Sequence, residues 1–385
     1  MRRHFERQEA APREPMQTRP GKRVLFVVPD DQQSPGPRYR VFQFLPHYEK
    51  AGLRTRIVEV QSGAATLRTL RSVHARAPGR AIHYVAMWVK LHLTFVRVVS
   101  LLWRSDVLYL YRLPVPKWAA FFLARCRSRV VFDFDDALDV AEVEAGTLGR
   151  LRRWVLRSGL RNAIRVARVT NASNRRNAEA VERLGGKSIL IPTCVDLTRY
   201  VFRERNTPGG APVVGWIGTP STSVYLEAIE DALTRVRTRV RFCLRLVGAA
   251  ENPFRSLDVE IRPWRFETEA QEIAAFDVGI MPMPDSPWTS GKAALKALQY
   301  GASGAPTVAS RTETNVDILG ADEGTLFAST TDEWTEAIAR LVEDARLRGE
   351  LGRRGRARVE RFYSLETQLP RLLDVIRDEP PGTMT

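Results

Sequence analysis

The sequence predicts an α/β protein built from two Rossmann-like β/α/β domains that face each other across a cleft. The chain has 385 residues, which is enough for two domains of ordinary size. Short apolar runs that end in turn residues alternate with stretches of helical spacing. This alternation stops in a polar segment just after residue 200 and then starts again, which places the domain boundary there.

The first half opens with an apolar run, residues 23–28, that is typical of a strand buried on both faces. The Gly- and Pro-rich residues 34–40 predict a flexible loop, residues 41–51 a helix and residues 55–60 the next strand. This start lacks the GxGxxG spacing of dinucleotide-binding domains, so no dinucleotide site is predicted.

The same alternation continues to the end of the chain. Further strands are predicted at residues 106–111, 129–134, 169–173, 188–191, 213–217, 242–247, 259–261, 278–281 and 307–309. Further helices are predicted at 82–103, 117–126, 150–168, 174–184, 222–237, 267–275, 292–300, 331–343, 345–362 and 365–376. The chain is therefore divided into a disordered tail (1–22), a first domain (23–200), a second domain (201–364) and a C-terminal helix and tail that cross back onto the first domain (365–385).

Composition indicates a globular protein that works in a reducing compartment. Cys126, Cys194 and Cys243 are odd in number and far apart, which predicts neither a disulfide framework nor a zinc site. The polar N-terminus predicts no secretory signal, and without eighteen consecutive apolar residues no membrane-spanning helix is expected. We therefore expect a cytoplasmic chain.

Positive charge is concentrated in the first half. The net charge is +15, and no Asp or Glu occurs between residues 60 and 105. A second acid-free stretch places six arginines on one helical face: Arg150, Arg153, Arg157, Arg161, Arg165 and Arg168. Two interpretations stay open: docking on an anionic membrane, or a solvated basic surface with its aromatic residues in the core. The aromatic residues concerned are Trp88, Phe95, Trp103 and Trp154. No nucleic-acid-binding module is recognisable, so nucleic acid is not a predicted partner.

An ordered string of motifs lies between residues 276 and 318. It contains Asp-Val-Gly-Ile-Met-Pro-Met-Pro at 277–284, Gly-Lys-Ala-Ala-Leu-Lys-Ala-Leu-Gln-Tyr at 291–300 and Gly-Ala-Pro-Thr-Val-Ala-Ser at 304–310. This string resembles the C-terminal domain of glycosyltransferase family four (glycosyl transferases group 1), whose fold is named GT-B. Residues 171–173 and 191–196 resemble the hinge region of that family, and Arg112 with Asp-Phe-Asp-Asp-Ala at 133–137 resembles one subgroup.

The resemblance covers about residues 22–375 and implies an activity. A sugar would move from a nucleotide-sugar donor to a hydroxyl acceptor, which is a glycan, a lipid-linked molecule or a small molecule. By resemblance the enzyme is hexosyltransferase-like, retains the anomeric configuration and uses neither a metal nor another cofactor.

Three features depart from the family's pattern, and one of them is Arg112, at a place where the family commonly has a histidine. The family's pair of acidic residues, eight positions apart, falls here on Gly291 and Gln299. The Arg and Lys that follow the first strand of the second domain are replaced by Thr-Pro-Ser-Thr-Ser at 219–223. Lys292 and Lys296 are candidates to supply the missing positive charge. Gln299 can still bond the ribose hydroxyls, although less strongly than a carboxylate.

Candidate donor-binding residues follow strands of the second domain, where ligands of α/β sheets bind. Residues 218–221 form a strand-to-helix turn that either holds phosphate or is an ordinary capped turn. Trp264 either stacks on the nucleobase or belongs to the core. The whole predicted set is Gly218, Thr219, Ser221, Trp264, Gly291, Lys292, Lys296 and Gln299.

Candidates in the first domain have two predicted roles. Gly36, Arg38 and Arg40 lie in the predicted loop and are candidates for contact with acceptor or phosphate, the alternative being a solvated loop. Arg112, Asp135 and Asp136 follow predicted strands and are candidate catalytic residues. The alternative for the two aspartates is a helix cap with a loop salt bridge.

Two rival functions remain open. Asp133 and Asp135 satisfy the DxD pattern of metal-dependent GT-A transferases, in which carboxylates bind a divalent ion. The second β/α half argues against that class, and we expect no metal. The missing acidic pair motivates the other rival, a GT-B-like protein that binds a nucleotide sugar or a partner without turnover.

Overall fold

The computed structural model describes residues 21–61, 77–140, 147–205 and 210–378 of the chain. The described chain folds into two parallel six-stranded sheets with helices on both faces, as predicted. Most of the predicted disordered tail, residues 1–20, lies outside the described residues.

The first sheet has the strand order β2-β1-β3-β4-β5-β6. Its strands are β1 (Arg23–Val28), β2 (Arg54–Glu59), β3 (Val107–Tyr111), β4 (Arg129–Phe134), β5 (Val169–Ala172) and β6 (Ser188–Leu190). Its helices are α1 (Pro35–Arg40), α2 (Leu45–Lys50), α3 (Ala77–Leu101), α4 (Lys117–Leu123), α5 (Thr147–Val166) and α6 (Arg175–Arg183).

The second sheet has the strand order β12-β11-β10-β7-β8-β9. Its strands are β7 (Val213–Ile217), β8 (Cys243–Val247), β9 (Glu260–Arg262), β10 (Val278–Met281), β11 (Thr307–Ser310) and β12 (Thr325–Ala328). Its helices are α7 (Pro220–Ser223), α8 (Glu230–Arg239), α9 (Glu269–Ala274), α10 (Leu295–Ala302), α11 (Glu313–Leu319), α12 (Thr331–Glu343) and α13 (Ala345–Phe362), and α14 (Leu365–Arg377) follows.

Apolar side chains on both faces of each sheet explain why the strands are nearly uniform apolar runs. In the first sheet, Leu25 and Val27 pack under α3, α4 and α5, while Val24 and Phe26 pack on the opposite face. The last helix, α14, contributes Leu372 to that second core and therefore packs on the first sheet. Its Arg377 donates a hydrogen bond to the carbonyl of Ala51.

Two local predictions are wrong. The predicted flexible loop at residues 34–40 is the helix α1, because Pro35 at its first turn already has helical φ and Ser34 precedes it as the N-cap residue. The helix predicted to begin at residue 292 begins at Leu295. Ala294 has a left-handed backbone (φ 50°), which separates the helix from the preceding residues.

Within the described residues, one helix is long and apolar enough to cross a membrane by length and composition. It covers residues Tyr84–Arg104, with a mean hydropathy of 1.6 over its most apolar window and only 22% of that window buried in the protein. No membrane-spanning helix was predicted, because charged and polar residues interrupt the apolar run. Lys90, His92, Thr94, Arg97 and Ser100 do not, however, lower the mean hydropathy enough to exclude this helix by composition. Phe95 and Val98 of this helix are fully buried against the first sheet, so it packs on its own domain.

Candidate donor and catalytic cleft

Charged side chains from both domains meet at the carboxyl edge of the first sheet. Strands β3 and β4 are neighbours, so Arg112 and Asp135, which follow them, lie side by side. The Arg112 guanidinium is 3.6 Å from Asp135 and also bonds Asp136. Lys292 of the second domain places its Nζ 3.4 Å from an Asp136 oxygen. The structure thus brings all three predicted catalytic residues together with one predicted donor-binding residue.

The two carboxylates of this cluster have different environments. Burial raises the pKa of Asp135, although the charge of Arg112 acts to lower it. The Tyr111 hydroxyl donates a hydrogen bond to the Asp135 carboxylate over 2.6 Å. Burial would also raise the pKa of Asp136, but Arg112 and Lys292 together hold that pKa below its ordinary value. Asp136 is therefore held as an anion, whereas Asp135 is the carboxylate better suited to accept a proton.

The segment that carries Gly291 and Lys292 is fastened to the first domain. Asn177 donates to the carbonyl of Gly291 over 2.9 Å, and Asn174 donates to the carbonyl of Lys292 over 3.1 Å. A Cβ on Gly291 would lie 2.4 Å from the backbone nitrogen of Ala137. Only glycine permits this close approach of the two domains. Lys292 does not open a helix, so its candidate role depends on its own charge and not on a helix N-terminus.

Lys296 is the second cation of the cleft. Its Nζ lies 4.7 Å from the centroid of the Trp216 ring and 3.3 Å from the hydroxyl of Thr222. Burial, and then the nearby charge of Lys292, lower the pKa of Lys296 to about 7. No carboxylate among the described residues forms an ion pair with it. A partly buried ammonium without a carboxylate partner is a receptor for an anion, because an anion would offset its desolvation.

The turn after β7 borders this cation. A Cβ on Gly218 would lie 2.9 Å from Cε of Lys296, so the glycine lets the backbone approach the lysine. Thr219 and Thr222 form a reciprocal capping box, and Thr219 also lies 3.0 Å from the Ser221 hydroxyl. Because α7 has only four residues, the helix dipole contributes little here. The cap occupies these hydroxyls, so they are less available to phosphate than predicted.

Gln299 lies in a buried cluster that joins the two domains. Its Nε2 donates to the hydroxyls of Tyr39 over 2.8 Å and Tyr200 over 2.9 Å. Both hydroxyls also lie within hydrogen-bond distance of the Glu269 carboxylate, at 2.6 and 3.1 Å. Gln299 is therefore not free to meet a ribose in this conformation. No sequence pattern indicated Tyr39 or Tyr200, and Glu269 was marked only by its position at the start of a short helix.

Arg38 completes this cluster. It is buried, pairs with Glu269 at 3.5 Å, and lies 4.7 Å from the Trp264 ring and 5.2 Å from that of Phe266. The Trp264 indole donates to Glu269 over 2.7 Å. In this conformation Arg38 is buried in the contact between the two domains, and its contact with phosphate or acceptor stays a prediction. Its guanidinium lies over the Trp264 ring, so a nucleobase that stacked on that ring face would have to displace Arg38.

Arg40 and Asp133 form a buried ion pair under the first sheet's edge. Arg40 donates to both Asp133 oxygens, at 2.9 and 2.8 Å, and to the carbonyl of Ile191. Tyr109 also donates to Asp133, whose side chain is fully buried. The prediction that Arg40 meets phosphate or acceptor is therefore wrong. Both Asp133 oxygens accept hydrogen bonds from Arg40, and the described residues contain no group of three or more His, Cys, Asp or Glu side chains that could hold a metal ion.

Gly36 lies against the catalytic cluster. A Cβ at this position would be 2.4 Å from the Tyr111 hydroxyl and 3.2 Å from a guanidinium nitrogen of Arg112. Gly36 therefore lies beside Arg112, although its own backbone belongs to a helix, and its contact with acceptor or phosphate stays a prediction.

A cavity of about 510 Å³ opens beyond the carboxyl ends of β10, β11 and β12. Pro284, Asp285, Ser310 and Thr312 are among its lining residues, and none of the predicted donor-binding residues lines it. This cavity was not predicted. It lies between loops that follow three different strands, and the order of the motifs does not indicate the space between them.

Comparisons with known proteins agree with this architecture. A family model described as glycosyl transferase-like matches residues 268–374. No curated protein matches the sequence. The resemblance to GT-B glycosyltransferases that the motifs indicated is thereby confirmed, on residues that include Lys292, Lys296 and Gln299.

Solved structures extend the likeness over nearly the whole chain. Sucrose-phosphate synthase from Thermosynechococcus elongatus is 14% identical, with a TM-score of 0.67 over 93% of this chain and 98% of that one. HepE of Anabaena in complex with UDP-glucose is 14% identical, with a TM-score of 0.61 over 93% and 100% of the two chains. The lipopolysaccharide outer core galactosyltransferase WaaB is 12% identical, with a TM-score of 0.57 over 92% and 99%. The chain therefore has the GT-B fold.

Proposed function

We propose that this GT-B chain transfers a hexosyl group from a nucleotide sugar to a hydroxyl acceptor, which is a glycan, a lipid-linked molecule or a small molecule. The observation that carries the proposal is the meeting of two sets of charges in one cleft. The second domain contributes the cations Lys292 and Lys296, and the first contributes Arg112 with two carboxylates. UDP-glucose complexes of the structurally similar HepE support the choice of donor class.

In the proposed reaction, the bond between the anomeric carbon and the donor phosphate breaks, and a bond to the acceptor oxygen forms. The nucleoside diphosphate leaves with the electron pair, and its growing charge is stabilised by Lys292 and Lys296. The acceptor hydroxyl gives its proton to the carboxylate of Asp135. Asp135 is positioned at the carboxyl edge of the first sheet with a raised pKa, and Asp136 keeps Arg112 and Lys292 in place.

Three further features belong to the proposal. The reaction proceeds with retention at the anomeric carbon, as the resemblance implies. It needs no metal, because two lysines and Arg112 supply the positive charge at the leaving group. The chain works in the cytoplasm, where nucleotide sugars are available and free thiols such as those of its three cysteines stay reduced. Donor binding opens the contact between α1 and Trp264, and domain closure then excludes water.

A second candidate function is binding of a nucleotide sugar or a partner without turnover. The observation that favours it is the Arg38–Trp264 contact, which covers the predicted base-binding face. The loss of the family's acidic pair, at Gly291 and Gln299, also favours binding without turnover.

One assay distinguishes sugar transfer from binding without turnover. It measures the release of nucleoside diphosphate from a panel of nucleotide sugars in the presence of mixed hydroxyl acceptors. We expect acceptor-dependent release that persists in EDTA and drops at least about a hundredfold in Asp136→Asn, since an active-site electrostatic contact is worth that much. Exposed Asp332→Asn, whose carboxylate pairs with Arg235 at the surface, is the matched control. Donor binding without any release would support the non-catalytic function instead.

A further inference from the structure

The helix α3 is apolar on two different faces, and only one of them is covered. Its inner face, with Phe95, Val98 and Leu102, is buried in the core of the first domain. Its outer face carries Val85, Trp88, Val89, Leu93, Val96 and, just after the helix, Trp103, all of which are exposed. Leu93 is 64% exposed and Trp103 is 87% exposed. A helix that is apolar all round is ordinarily covered all round, so this outer face lacks a partner.

A row of ring contacts extends this outer face onto α4. The rings of Trp88 and His92 are 3.8 Å apart, those of His92 and Trp118 are 6.2 Å apart, and those of Trp118 and Phe122 are 6.5 Å apart. Phe122 and its neighbour Phe121 are about half exposed. The exposed apolar surface is therefore continuous from α3 to α4 and is not a set of isolated side chains.

A third helix, α5, adjoins the same surface. The Arg152 guanidinium lies 4.9 Å from the Tyr84 ring of α3, which places the two helices side by side. Leu151 and Trp154 of α5 are exposed, Trp154 by 61%. From here on, the term outer face covers the exposed residues of all three helices, α3, α4 and α5, together with Trp103.

The outer face carries positive charge and no negative charge. Residues 60–105, 107–132 and 145–178 contain no Asp or Glu. Exposed basic side chains accompany the apolar ones on each helix: Lys90, Arg97, Arg104, Lys117, Arg125, Arg150, Arg152, Arg157, Arg161 and Arg165. The Arg125 guanidinium even stacks on the exposed Phe121 ring, at 3.7 Å. A surface of Trp, Phe and Leu mixed with Arg and Lys complements the interface of a bilayer that contains anionic lipid.

We propose that the outer face docks the first domain on the surface of an anionic lipid bilayer, with α3 lying in the plane of the interface. Trp88, Trp103 and Trp154 enter the headgroup region, and the basic side chains meet lipid phosphates. The helix does not cross the bilayer, because Phe95 and Val98 hold it on the first sheet. Of the four aromatic residues predicted for a membrane contact, Phe95 is therefore excluded, and the other three are exposed.

The orientation of these helices places one end of the outer face beside the cleft. Helices that connect parallel strands run opposite to them, so the first residues of α3 and α5 lie at the carboxyl edge of the sheet. Tyr84, Leu151 and Trp154 thus stand nearer to Arg112 than Trp103 does. On the basis of the proposed function, an acceptor carried by the membrane would reach the cleft from this end; docking itself does not depend on that function.

Flotation of the full chain with vesicles tests the proposal. We expect binding to phosphatidylcholine vesicles containing about 30% phosphatidylglycerol, and little binding to phosphatidylcholine alone. Raising NaCl from about 0.05 to 0.5 M should weaken binding without abolishing it, because salt screens the charges but not the apolar contact. The double variants Trp103→Ser/Trp154→Ser and Lys90→Glu/Arg97→Glu should each lower the partition coefficient about tenfold or more.

Matched controls are Val201→Ser and Phe362→Ser, which replace exposed apolar residues of the interdomain segment and of α13. Both should bind vesicles like the unmodified chain, and circular dichroism should be the same for all variants. The proposal is overturned if the chain ignores anionic vesicles, binds both vesicle types equally, or binds unchanged in the two double variants.

Sedimentation velocity tests the other occupant of the outer face, a second copy of the chain. An oligomer that dissociates in Trp103→Ser/Trp154→Ser, together with no vesicle binding, would also overturn the proposal. No donor is present in the flotation experiment. A chain that binds vesicles but transfers no sugar would therefore contradict the proposed function and leave the docking surface intact.

Discussion

Lys296 is expected to make donor binding dependent on pH. Its pKa is lowered from 10.5 to about 7, first by burial and then by Lys292. Below pH 7 the free protein already carries the ammonium that a pyrophosphate needs. Above pH 7 the free side chain is neutral, and binding must take up a proton. Because one unit of pH corresponds to about 1.36 kcal/mol, affinity should fall about tenfold per pH unit above 7, and about fiftyfold between pH 7 and 9.

Isothermal titration calorimetry with the nucleotide sugar measures this uptake directly. The donor's pyrophosphate diester has no group that titrates near neutrality, so the proton must come to the protein. In buffers of different ionisation enthalpy, we expect an uptake of about 0.9 proton per site at pH 8 and about 0.1 at pH 6. The same linkage acts on folding: the unfolded state holds more protons between pH 7 and 10.5, so the contribution of Lys296 to stability rises with pH in that window.

Two variants separate Lys296 from other titrating groups. Lys296→Arg keeps its charge across this range and should bind with almost no proton uptake and a flat pH profile. Lys296→Met should bind weakly at every pH. The reasoning is refuted if the unmodified chain takes up no proton at pH 8, or if Lys296→Arg takes up as much as the unmodified chain does.

Three other predictions concern the buried charges and the metal. Gln299→Glu places a second carboxylate beside Glu269. We therefore expect the free energy of unfolding to fall by about 1–3 kcal/mol at pH 8 and by less at pH 5. An equal loss at both pH values would contradict this prediction. Arg40→Met leaves Asp133 buried and unpaired, which should cost about 3–5 kcal/mol in urea unfolding. Arg235→Met, which breaks an exposed ion pair, should cost less than about 1 kcal/mol, and similar losses for the two would refute the assignment. EDTA should change neither donor affinity nor sugar transfer, whereas activity that requires added Mn²⁺ would contradict the metal-free proposal.

The cluster of Arg112, Asp135 and Asp136 was predictable from sequence because it follows from sheet geometry. Arg112 and Asp135 each come after an apolar run, and the carboxyl ends of parallel strands share an edge. The order of apolar runs and helical stretches likewise determined the two domains. These inferences needed only local patterns and one rule about parallel sheets.

The roles of Arg38 and Arg40 could not be predicted in the same way. A Pro- and Gly-rich segment with two arginines is typical of a solvated loop, and only distant residues make it a buried helix. Arg40 pairs with Asp133, 93 positions away, and Arg38 with Glu269, 231 positions away. Such pairings depend on how two domains dock, which no local pattern records.

The outer face illustrates a different limit of periodicity. The spacing of Phe95, Val98 and Leu102 places them on one side of α3, and the spacing of Val85, Val89 and Val96 places those on another. Both sides are apolar, so the pattern alone does not say which one faces the sheet. The prediction of a membrane contact therefore included Phe95, which the fold buries.

The central claim is that the cleft between the two domains binds a nucleotide sugar through the cations of the second domain. A thermal-shift panel of UDP, GDP, ADP, TDP and their sugars, with and without EDTA, tests it most directly. We expect one nucleotide to stabilise the folded chain regardless of EDTA. At a hundred times its Kd, it should raise the free energy of unfolding by about 2.7 kcal/mol. The effect should vanish in Lys292→Ala/Lys296→Ala and persist in Lys90→Ala, a change on the outer face. No stabilisation by any nucleotide, or full stabilisation of the double variant, would contradict the claim.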